Sequence, residues 1–285
     1  MNGSARRIDL HTHSLASDGR LTPRELVDAA ARRAVRLLAL TDHDTTAGLA
    51  EAAGQCAQHD IQFVPGVELT CEWKEREIHV VGLQVAAQQQ GLQQHLQEVC
   101  ALRRQRMAAM CERLTAHGLP GQELLAECSA APSPTRAHLA RALHARGAVG
   151  SLEEAFERWL GRKGRAYVKS RWPTLATVVE CIVAAGGIAV LAHPHRYRCS
   201  AGQLRELCGI FAIAGGRGIE VSLAGMGPGD AASACSLARR FELAGSIGSD
   251  FHEPGLPWRP LGRFDKLPDG VTPITALLES QGVQV

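Results

Sequence analysis

Short apolar stretches alternate with amphipathic stretches along most of the chain, and this alternation constrains the fold more than any other feature. Strand signals at 7–11 and 36–40 flank a helical signal at 22–33, and the same alternation returns after residue 167. Strands that alternate with helices are typical of α/β folds, in which the strands run parallel. The residues therefore predict an α/β protein with a parallel sheet.

The middle of the chain has a different texture. Residues 101–166 have a helical period throughout, which predicts a helical insertion into a domain made of 1–100 and 167–285. Residues 101–171 carry 13 Lys/Arg against 6 Asp/Glu, a net charge of +7, so the remainder carries 18 against 23, a net charge of −5. A basic block beside an acidic remainder favours an anionic ligand, although a solvated helical surface has the same composition.

Composition narrows the class of protein. The chain has no apolar stretch long enough to span a membrane, and residues 1–7 contain no signal-peptide apolar region. Its nine cysteines are scattered and never spaced CxxC, which favours reduced thiols over disulfides or a zinc knuckle. We expect a cytoplasmic protein with no membrane contact and see no sign of a protein partner.

Metal-ligand side chains recur where the predicted strands end. His11 and His13, two residues apart, would point to one side of a strand, and Asp18 lies in the loop that follows. Parallel α/β folds collect the carboxyl ends of their strands at one edge. A lone histidine such as His79 is more often structural than a ligand, but repeated pairs at strand ends are hard to obtain by chance. The predicted ligands are His11, His13, Asp18, His43, Glu68, His79, His193, Asp250 and His252.

Nine ligands are too many for one ion, because a metal ion takes about four to six ligands. Glu68 is the only glutamate among them and could bridge, so we expect two or three ions. Mixed histidine and carboxylate ligation suits a transition metal, with manganese as our first choice and iron or zinc as alternatives, rather than calcium or magnesium. Clustered divalent ions activate a bridging hydroxide and hold phosphate oxygens. The residues therefore favour phosphoester hydrolysis.

Six stretches together resemble the PHP (polymerase and histidinol phosphatase) family of metal-dependent phosphoesterases. They are HTHSLASDG, LALTDHD, PGVELT, IHVVG, LAHPHR and IGSDFHEP. The resemblance covers residues 6–100 and 167–255 and implies a distorted seven-stranded βα barrel that holds three metals. It implies one ion on His11, His13, Glu68 and Asp250, a second on Glu68, His79 and His193, and a third on Asp18, His43 and His252. Asp18 stands where several family members have histidine.

Within that family, residues 133–140 and 165–169 are similar to the group of nucleoside 3′,5′-bisphosphate phosphatases and RNase AM-type 5′-to-3′ exonucleases. The resemblance implies removal of the 3′-phosphate from a nucleoside 3′,5′-bisphosphate such as pAp, with exonuclease action on short 5′-phosphorylated RNA as the alternative. A non-catalytic regulatory module would have lost some ligands, whereas all nine positions are filled here. We therefore expect an enzyme with a small anionic nucleotide substrate.

Basic residues near the predicted ligands supply substrate-binding candidates. Arg136 begins a helix, where backbone N–H groups also favour anions. Lys169 and Arg171 lie two apart in an extended segment and would face one side. His195 follows His193 closely and is a candidate both for phosphate binding and for protonating the leaving sugar oxygen; Asp18 is the second catalytic candidate. The chain has only twelve aromatic residues, which favours a mononucleotide or very short oligonucleotide over a long single strand.

Overall fold

The computed structural model describes residues 7–255 and 259–285. Within these residues, seven strands form one mostly parallel sheet in which strands adjacent in sequence are also neighbours in space. This arrangement confirms the α/β class. The strands are β1 (Arg7–Asp9), β2 (Val35–Leu40), β3 (Gln62–Trp73), β4 (Arg76–Leu83), β5 (Ile188–Leu191), β6 (Gly218–Leu223) and β7 (Ala244–Gly248).

One strand departs from the expected parallel arrangement. β4 runs antiparallel to both β3 and β5, while the other neighbours pair parallel. β3 and β4 are joined by Lys74 and Glu75, which have φ angles of 46° and 61°. Two successive residues with positive φ make the two-residue turn that fits the twist of a hairpin. The prediction of parallel strands throughout was therefore wrong at β4.

The hairpin changes where two of the predicted ligands lie. β3 continues past Glu68 to Trp73, so Glu68 lies within the strand and not at its end. His79 lies in the first half of β4 and pairs with Thr70 of β3. Because β4 runs in the opposite direction, its early residues reach the edge at which the parallel strands end.

The helices agree with the sequence pattern at most positions. Thr22 caps the first helix in a capping box with Glu25, and Pro23 is its first residue. The helices are α1 (Pro23–Arg32), α2 (Leu49–Gln58), α3 (Gln90–Ala116), α4 (Gly121–Cys128), α5 (Arg136–Ala145), α6 (Leu152–Ala155), α7 (Leu175–Ala184), α8 (Ala201–Ile213), α9 (Pro228–Arg240) and α10 (Ile274–Ser280).

Two short helical segments of other types complete the description. Ser151 caps α6 by accepting a hydrogen bond from the backbone N–H of Glu154, and α6 then continues as a π-helix over Phe156–Leu160. A single 3₁₀ turn over Pro194–Arg196 follows β5. Irregular helical segments of this kind are frequent at functional sites.

The apolar core is divided between the sheet and the middle of the chain. The largest cluster packs β3, β4, β5 and β6 against α7, α8 and α9. The buried side chains of a separate cluster all come from residues 107–166 and include Leu114, Leu139 and Trp159. Within the described residues, no helix combines the length and apolarity needed to cross a bilayer. The nine cysteines are all free thiols.

Candidate metal centre

Glu68 lies at the centre of a buried cluster of imidazoles. Its side chain is fully buried, and oxygen Oε2 lies 3.3 Å from the Nε2 atoms of both His11 and His13. The same oxygen is 3.0 Å from Nδ1 of His43. Its other oxygen, Oε1, lies 3.1 Å from Nδ1 of His79 and 2.9 Å from Nε2 of His193. One carboxylate thus faces five imidazole rings.

The remaining predicted ligands extend this cluster on two sides. Asp250 Oδ1 lies 3.4 Å from Nε2 of His11 and 3.2 Å from Nε2 of His13. Asp18 Oδ1 lies 3.4 Å from Nε2 of His252 and 3.9 Å from Nε2 of His43. The structure therefore brings all nine predicted side chains into one network, although they come from segments spread over more than 240 positions of the sequence.

Within the network, three groups present ligand atoms that all lie within 4.8 Å of one another. They are His11 with His13 and Asp250, His43 with Glu68 and His79, and His13 with Asp18, His43 and His252. Each group combines imidazole nitrogen with carboxylate oxygen, the donor set that suits zinc, iron and manganese.

Several polar atoms in this network have no hydrogen-bond partner among the described residues. Asp18 Oδ1 and Glu68 Oε2 are two buried acceptor atoms without such a partner. The Nε2 atoms of His11 and His13 face each other at 3.1 Å, where at most one of them can donate to the other. Buried polar groups are normally satisfied, so such orphaned atoms need an explanation. Divalent cations among them would satisfy both the carboxylates and the imidazoles, and the residues fit that role.

Burial and the surrounding charges shift the pKa values of the cluster in opposite directions. Burial alone would raise the pKa of Glu68, but the charges of His43, His11 and His79 hold it well below its usual range. Burial and the nearby charge of His252 lower the pKa of His13 to about 3. Burial likewise lowers the pKa of His193 to about 4. The imidazoles of His13 and His193 are thereby held in the neutral form that binds metal. At His79, by contrast, the charge of Glu68 outweighs burial and raises the pKa to about 10.

Glu220 of β6 holds two of the predicted ligands in place and was not identified from the sequence. Its side chain is buried, with Oε1 2.6 Å from Nδ1 of His11 and Oε2 accepting from the backbone N–H of His193 at 2.5 Å. A carboxylate behind a metal-ligand histidine fixes its tautomer and ring orientation. Glu220 therefore directs Nε2 of His11 toward the cluster.

Other partners fix the carboxylates. Thr135, the N-cap of α5, donates its hydroxyl hydrogen to Asp18 Oδ2 at 2.9 Å. Asp250 Oδ2 contacts Arg196 and lies 3.2 Å from Arg259, so Asp250 presents only Oδ1 to the histidines.

The backbone is strained at two of the predicted ligands. His193 has a φ of 27° and Asp250 a φ of 49°, a region that L-amino acids rarely adopt. Strain of this kind is concentrated at active sites, where the surrounding structure maintains it. At His193 the hydrogen bond from its N–H to Glu220 contributes to that support.

A cavity of about 120 Å³ adjoins the cluster, and its lining combines predicted ligands with arginines. Asp18, His43 and His79 form one side. Three arginines, Arg103 and Arg106 of α3 and Arg136 of α5, line the cavity with Glu77, Thr135, Ala137 and Phe156. Of these three arginines, only Arg136 was predicted from the sequence.

Each arginine is anchored by a carboxylate. Arg103 pairs with Asp44 at 2.6 Å. Arg106 and Arg136 each lie 2.9 Å from Glu77, one on each oxygen. Glu77 also accepts a hydrogen bond from Trp172 Nε1 at 3.1 Å. One carboxylate thus orients two guanidinium groups toward the cavity.

The other predicted phosphate-binding residues lie elsewhere. Lys169 is half exposed and pairs with the exposed Glu75 at 3.0 Å. Arg171 is exposed, and neither residue lines the cavity. His195 lies in the 3₁₀ turn after β5, partly buried, with its Nδ1 atom unpartnered among the described residues. Burial, reinforced by the charge of Arg196, lowers the pKa of His195.

Comparison with known proteins identifies the family to which this chain belongs. Residues 9–164 match the family model described as PHP domain. A Haemophilus influenzae protein named 5′-3′ exoribonuclease is 40% identical, over 94% of this chain and 98% of its own. A Chromobacterium violaceum protein named 3′,5′-nucleoside bisphosphate phosphatase is also 40% identical, over 96% of this chain and 97% of its own.

A solved structure supports the same assignment. A Bifidobacterium adolescentis protein, proposed to be a metal-dependent phosphoesterase, is 28% identical with a TM-score of 0.82. The similarity covers 99% of this chain and 97% of that one. Sequence and structure agree over almost the whole length, and the chain belongs to the PHP domain family.

Proposed function

We propose that this protein is a metal-dependent phosphomonoesterase that removes the 3′-phosphate from nucleoside 3′,5′-bisphosphates, such as pAp, to give AMP and phosphate. The observation that carries the proposal is the shared cavity, in which a His/carboxylate cluster faces Arg106 and Arg136. A substrate with two phosphates needs two anion-binding regions. The cavity offers both within one small volume.

We also propose a barrel with a helical insertion as the architecture that supports the site. The backbone N–H of Leu10 donates to the carbonyl of Ile247 at 3.2 Å, and that of His13 donates to the carbonyl of Phe251 at 2.9 Å. These bonds join the two outer strands of the sheet and support a distorted seven-stranded βα barrel. The separate apolar cluster within 107–166 supports a helical insertion domain over 101–166 that caps the substrate, with the barrel formed by 1–100 and 167–285.

Nine residues would hold two or three divalent ions, manganese by our choice, with iron or zinc as alternatives. We assign His11, His13, Glu68 and Asp250 to one ion, Glu68, His79 and His193 to a second, and Asp18, His43 and His252 to a third. When bound, such ions supply a hydroxide nucleophile at neutral pH and neutralise charge on phosphate oxygens. Glu68 would be the ligand shared by two ions, because its two oxygens face different histidines.

The chain's own residues bind and orient the substrate. Arg106 and Arg136 would hold the second phosphate, which does not react, through charge-assisted hydrogen bonds. Arg136 is also the first residue of α5, whose N-terminal end lies at the cavity through Thr135 and Ala137. Binding remote from the reacting bond also orients the scissile phosphate. Lys169 and Arg171 contribute at most a long-range positive charge, because both lie outside the cavity.

Proton transfer to the leaving sugar oxygen requires an acid at the rim of the site. His195 follows His193 by two residues in the 3₁₀ turn after β5, and its Nδ1 atom has no hydrogen-bond partner among the described residues. We propose that His195 or a water molecule donates this proton. Asp18, held by Thr135, remains the second catalytic candidate because its Oδ1 faces the cluster.

Exonuclease action on short 5′-phosphorylated RNA is the second candidate. The name of the Haemophilus influenzae relative favours it. A non-catalytic regulatory module is disfavoured, because all nine ligand positions are filled and converge. The nine free thiols fit a reducing compartment, and we place the enzyme in the cytoplasm.

A substrate panel tests the proposal. Purified enzyme with manganese is offered adenosine 3′,5′-bisphosphate, histidinol phosphate and short 5′-phosphorylated RNA, and released phosphate and nucleotides are quantified. We expect the highest kcat/KM for the bisphosphate. A preference for histidinol phosphate, or no hydrolysis of any substrate with manganese, iron or zinc, would contradict the proposal.

A further inference from the structure

Helix α5, from the middle of the chain, holds the predicted ligand Asp18 at two points. Thr135, the N-cap of α5, donates its hydroxyl hydrogen to Asp18 Oδ2 at 2.9 Å. Arg141, near the middle of the helix, donates from Nη1 to the backbone carbonyl of Asp18 at 2.7 Å. Asp18 is 4% exposed and Thr135 is 7% exposed, so water has little access to their hydrogen bond. The side chain and the backbone of Asp18 are thus both fixed from α5.

This grip decides which oxygen Asp18 offers to an ion. Because Oδ2 is taken by Thr135, the other oxygen, Oδ1, faces Nε2 of His252 at 3.4 Å and Nε2 of His43 at 3.9 Å. Outer partners of this kind orient ligands, and their loss lowers metal affinity. Asp18, His43 and His252 are the three residues assigned to the third ion. The affinity of that position should therefore depend on where α5 lies.

The same end of α5 carries an arginine assigned to the second phosphate. Arg136 directly follows Thr135, lies 2.9 Å from Glu77 and lines the cavity at the metal cluster. A capping box fixes the turn between them, since the backbone N–H of Thr135 donates to Nδ1 of His138 at 3.0 Å. Two adjacent residues on one fixed turn therefore serve the third ion and the second phosphate.

Building on the proposed function, we propose that α5 couples the third ion to the phosphate that does not react. An ion on its three assigned ligands favours the placement of α5 in which Thr135 reaches Asp18, and that placement also brings Arg136 to the cavity. A phosphate on Arg136 favours the same placement. Coupling between two sites is reciprocal, so each ligand raises the affinity for the other by the same factor. Thr135 and Arg141 are positioning residues, because neither is assigned to an ion or a phosphate.

The coupling would add selectivity for doubly phosphorylated nucleotides. A bisphosphate that reaches Arg136 strengthens the third metal position while its other phosphate lies on the metals. A monophosphate on the metals leaves Arg136 empty and gains nothing from α5. The second phosphate would thus contribute both binding energy and a more fully loaded metal centre.

Metal loading in the presence of adenosine 5′-monophosphate separates the coupling from the reaction. This nucleotide carries the phosphate assigned to Arg136 but has no 3′-phosphate to lose. Wild-type protein is equilibrated against chelator-buffered manganese with and without the nucleotide, and bound manganese per chain is measured by elemental analysis. We expect the free manganese needed to fill the last position to fall by about fivefold or more. Manganese should strengthen nucleotide binding, measured by calorimetry, by the same factor.

Variants of Thr135 then test whether the coupling passes through α5. Thr135→Val removes the hydroxyl group at almost constant shape, so it should weaken loading of the last ion and abolish the effect of the nucleotide on it. Thr135→Ser keeps the hydroxyl group and should retain both. Thr174→Val is the matched control, because Thr174 also caps a ten-residue helix, α7, and lies outside the cavity. It should lower the thermal stability of the metal-free protein and leave the coupling unchanged.

Three results would overturn the inference while leaving the phosphatase proposal intact. The first is wild-type loading that does not respond to the nucleotide. The second is a response that persists in Thr135→Val, which would mean that the phosphate contacts the ion directly. The third is an equal loss in Thr174→Val, which would assign the effect to helix capping in general. Wild-type enzyme that fails to hydrolyse adenosine 3′,5′-bisphosphate would instead overturn the proposed function, and the loading curves would still test the coupling.

Discussion

Replacing Glu220 with glutamine should weaken metal binding although Glu220 is not itself a predicted ligand. The carboxylate accepts from Nδ1–H of His11 with one oxygen and from the backbone N–H of His193 with the other. A glutamine amide has a single oxygen, so it can serve only one of these donors. If its NH₂ group faces His11, the imidazole proton moves to Nε2, and that nitrogen can no longer bind metal. If the NH₂ group faces His193, two donors oppose each other in a buried site.

The size of the effect follows from these two contacts. Loss of the outer partner of a ligand histidine typically costs about 10- to 100-fold in metal affinity. That loss corresponds to about 1.4–2.7 kcal/mol of binding free energy. The alternative orientation leaves a buried N–H group unpaired, which costs about 1–3 kcal/mol of folding stability. Since Glu220 is 1% exposed, water does not replace the lost partner.

The assay is equilibrium dialysis against chelator-buffered manganese, followed by elemental analysis and thermal unfolding of the metal-free protein. Glu220→Gln should need about 10- to 100-fold more free manganese for half loading. Ser222→Ala is the control, because Ser222 lies two residues later on β6, is buried, and donates to the carbonyl of Asp265 at 2.6 Å. It should lower stability without shifting the loading curve. Wild-type loading of Glu220→Gln, or an equal shift in Ser222→Ala, would refute this reasoning.

Three further predictions concern the ligands and the cavity. Glu68→Ala should lose more than one ion per chain by elemental analysis, because its two oxygens face different histidines; loss of a single ion would argue against a bridge. His195→Ala should lower kcat more than metal content, and parallel loss of metal would make His195 a ligand. Arg136→Ala should lower kcat/KM for the bisphosphate by about 10- to 100-fold but leave kcat/KM for an aryl monophosphate almost unchanged. Lys169→Ala and Arg171→Ala should have little effect on kcat/KM for either substrate. Equal losses on the two substrates in Arg136→Ala would place that residue at the reacting phosphate.

The positions of those predicted ligands that follow parallel strands result from simple geometry. His11 and His13 face the same side because they lie two residues apart at the end of a strand. Asp250 and His252 repeat that spacing after β7. Parallel strands then bring such pairs to one edge without any knowledge of the intervening loops. The residue types and their order along the chain were therefore enough to predict which side chains meet.

The direction of β4 was not predictable in the same way. Trp73-Lys74-Glu75-Arg76 contains none of the Gly or Asn residues that usually mark a two-residue hairpin. Lys74 and Glu75 nevertheless adopt positive φ values, because the long β3–β4 ladder on either side imposes the turn. His79 reaches the site only through this reversal. His79 was therefore predicted in the right cluster, although the direction of its strand was predicted wrongly.

Two arginines of α3 lie at positions that the helical period assigns to the apolar core. Arg103 and Arg106 lie on the same stripe of α3 as the buried Val99, Met107 and Met110, whereas Arg104 and Arg113 are exposed. Arginines at core-facing positions contradict an ordinary amphipathic helix, because a buried charge is costly unless it is paired.

The partners of these arginines could not be found from the helix itself. They are Asp44 and Glu77, which lie 59 and 29 residues away along the chain. Asp44 belongs to the loop after β2 and Glu77 to β4. Both carboxylates belong to the segments that also carry the predicted ligands His43 and His79. Pairing therefore docks α3 onto the metal edge of the sheet. The buried charges that cost the helix stability are the same ones to which we assign the binding of a second phosphate.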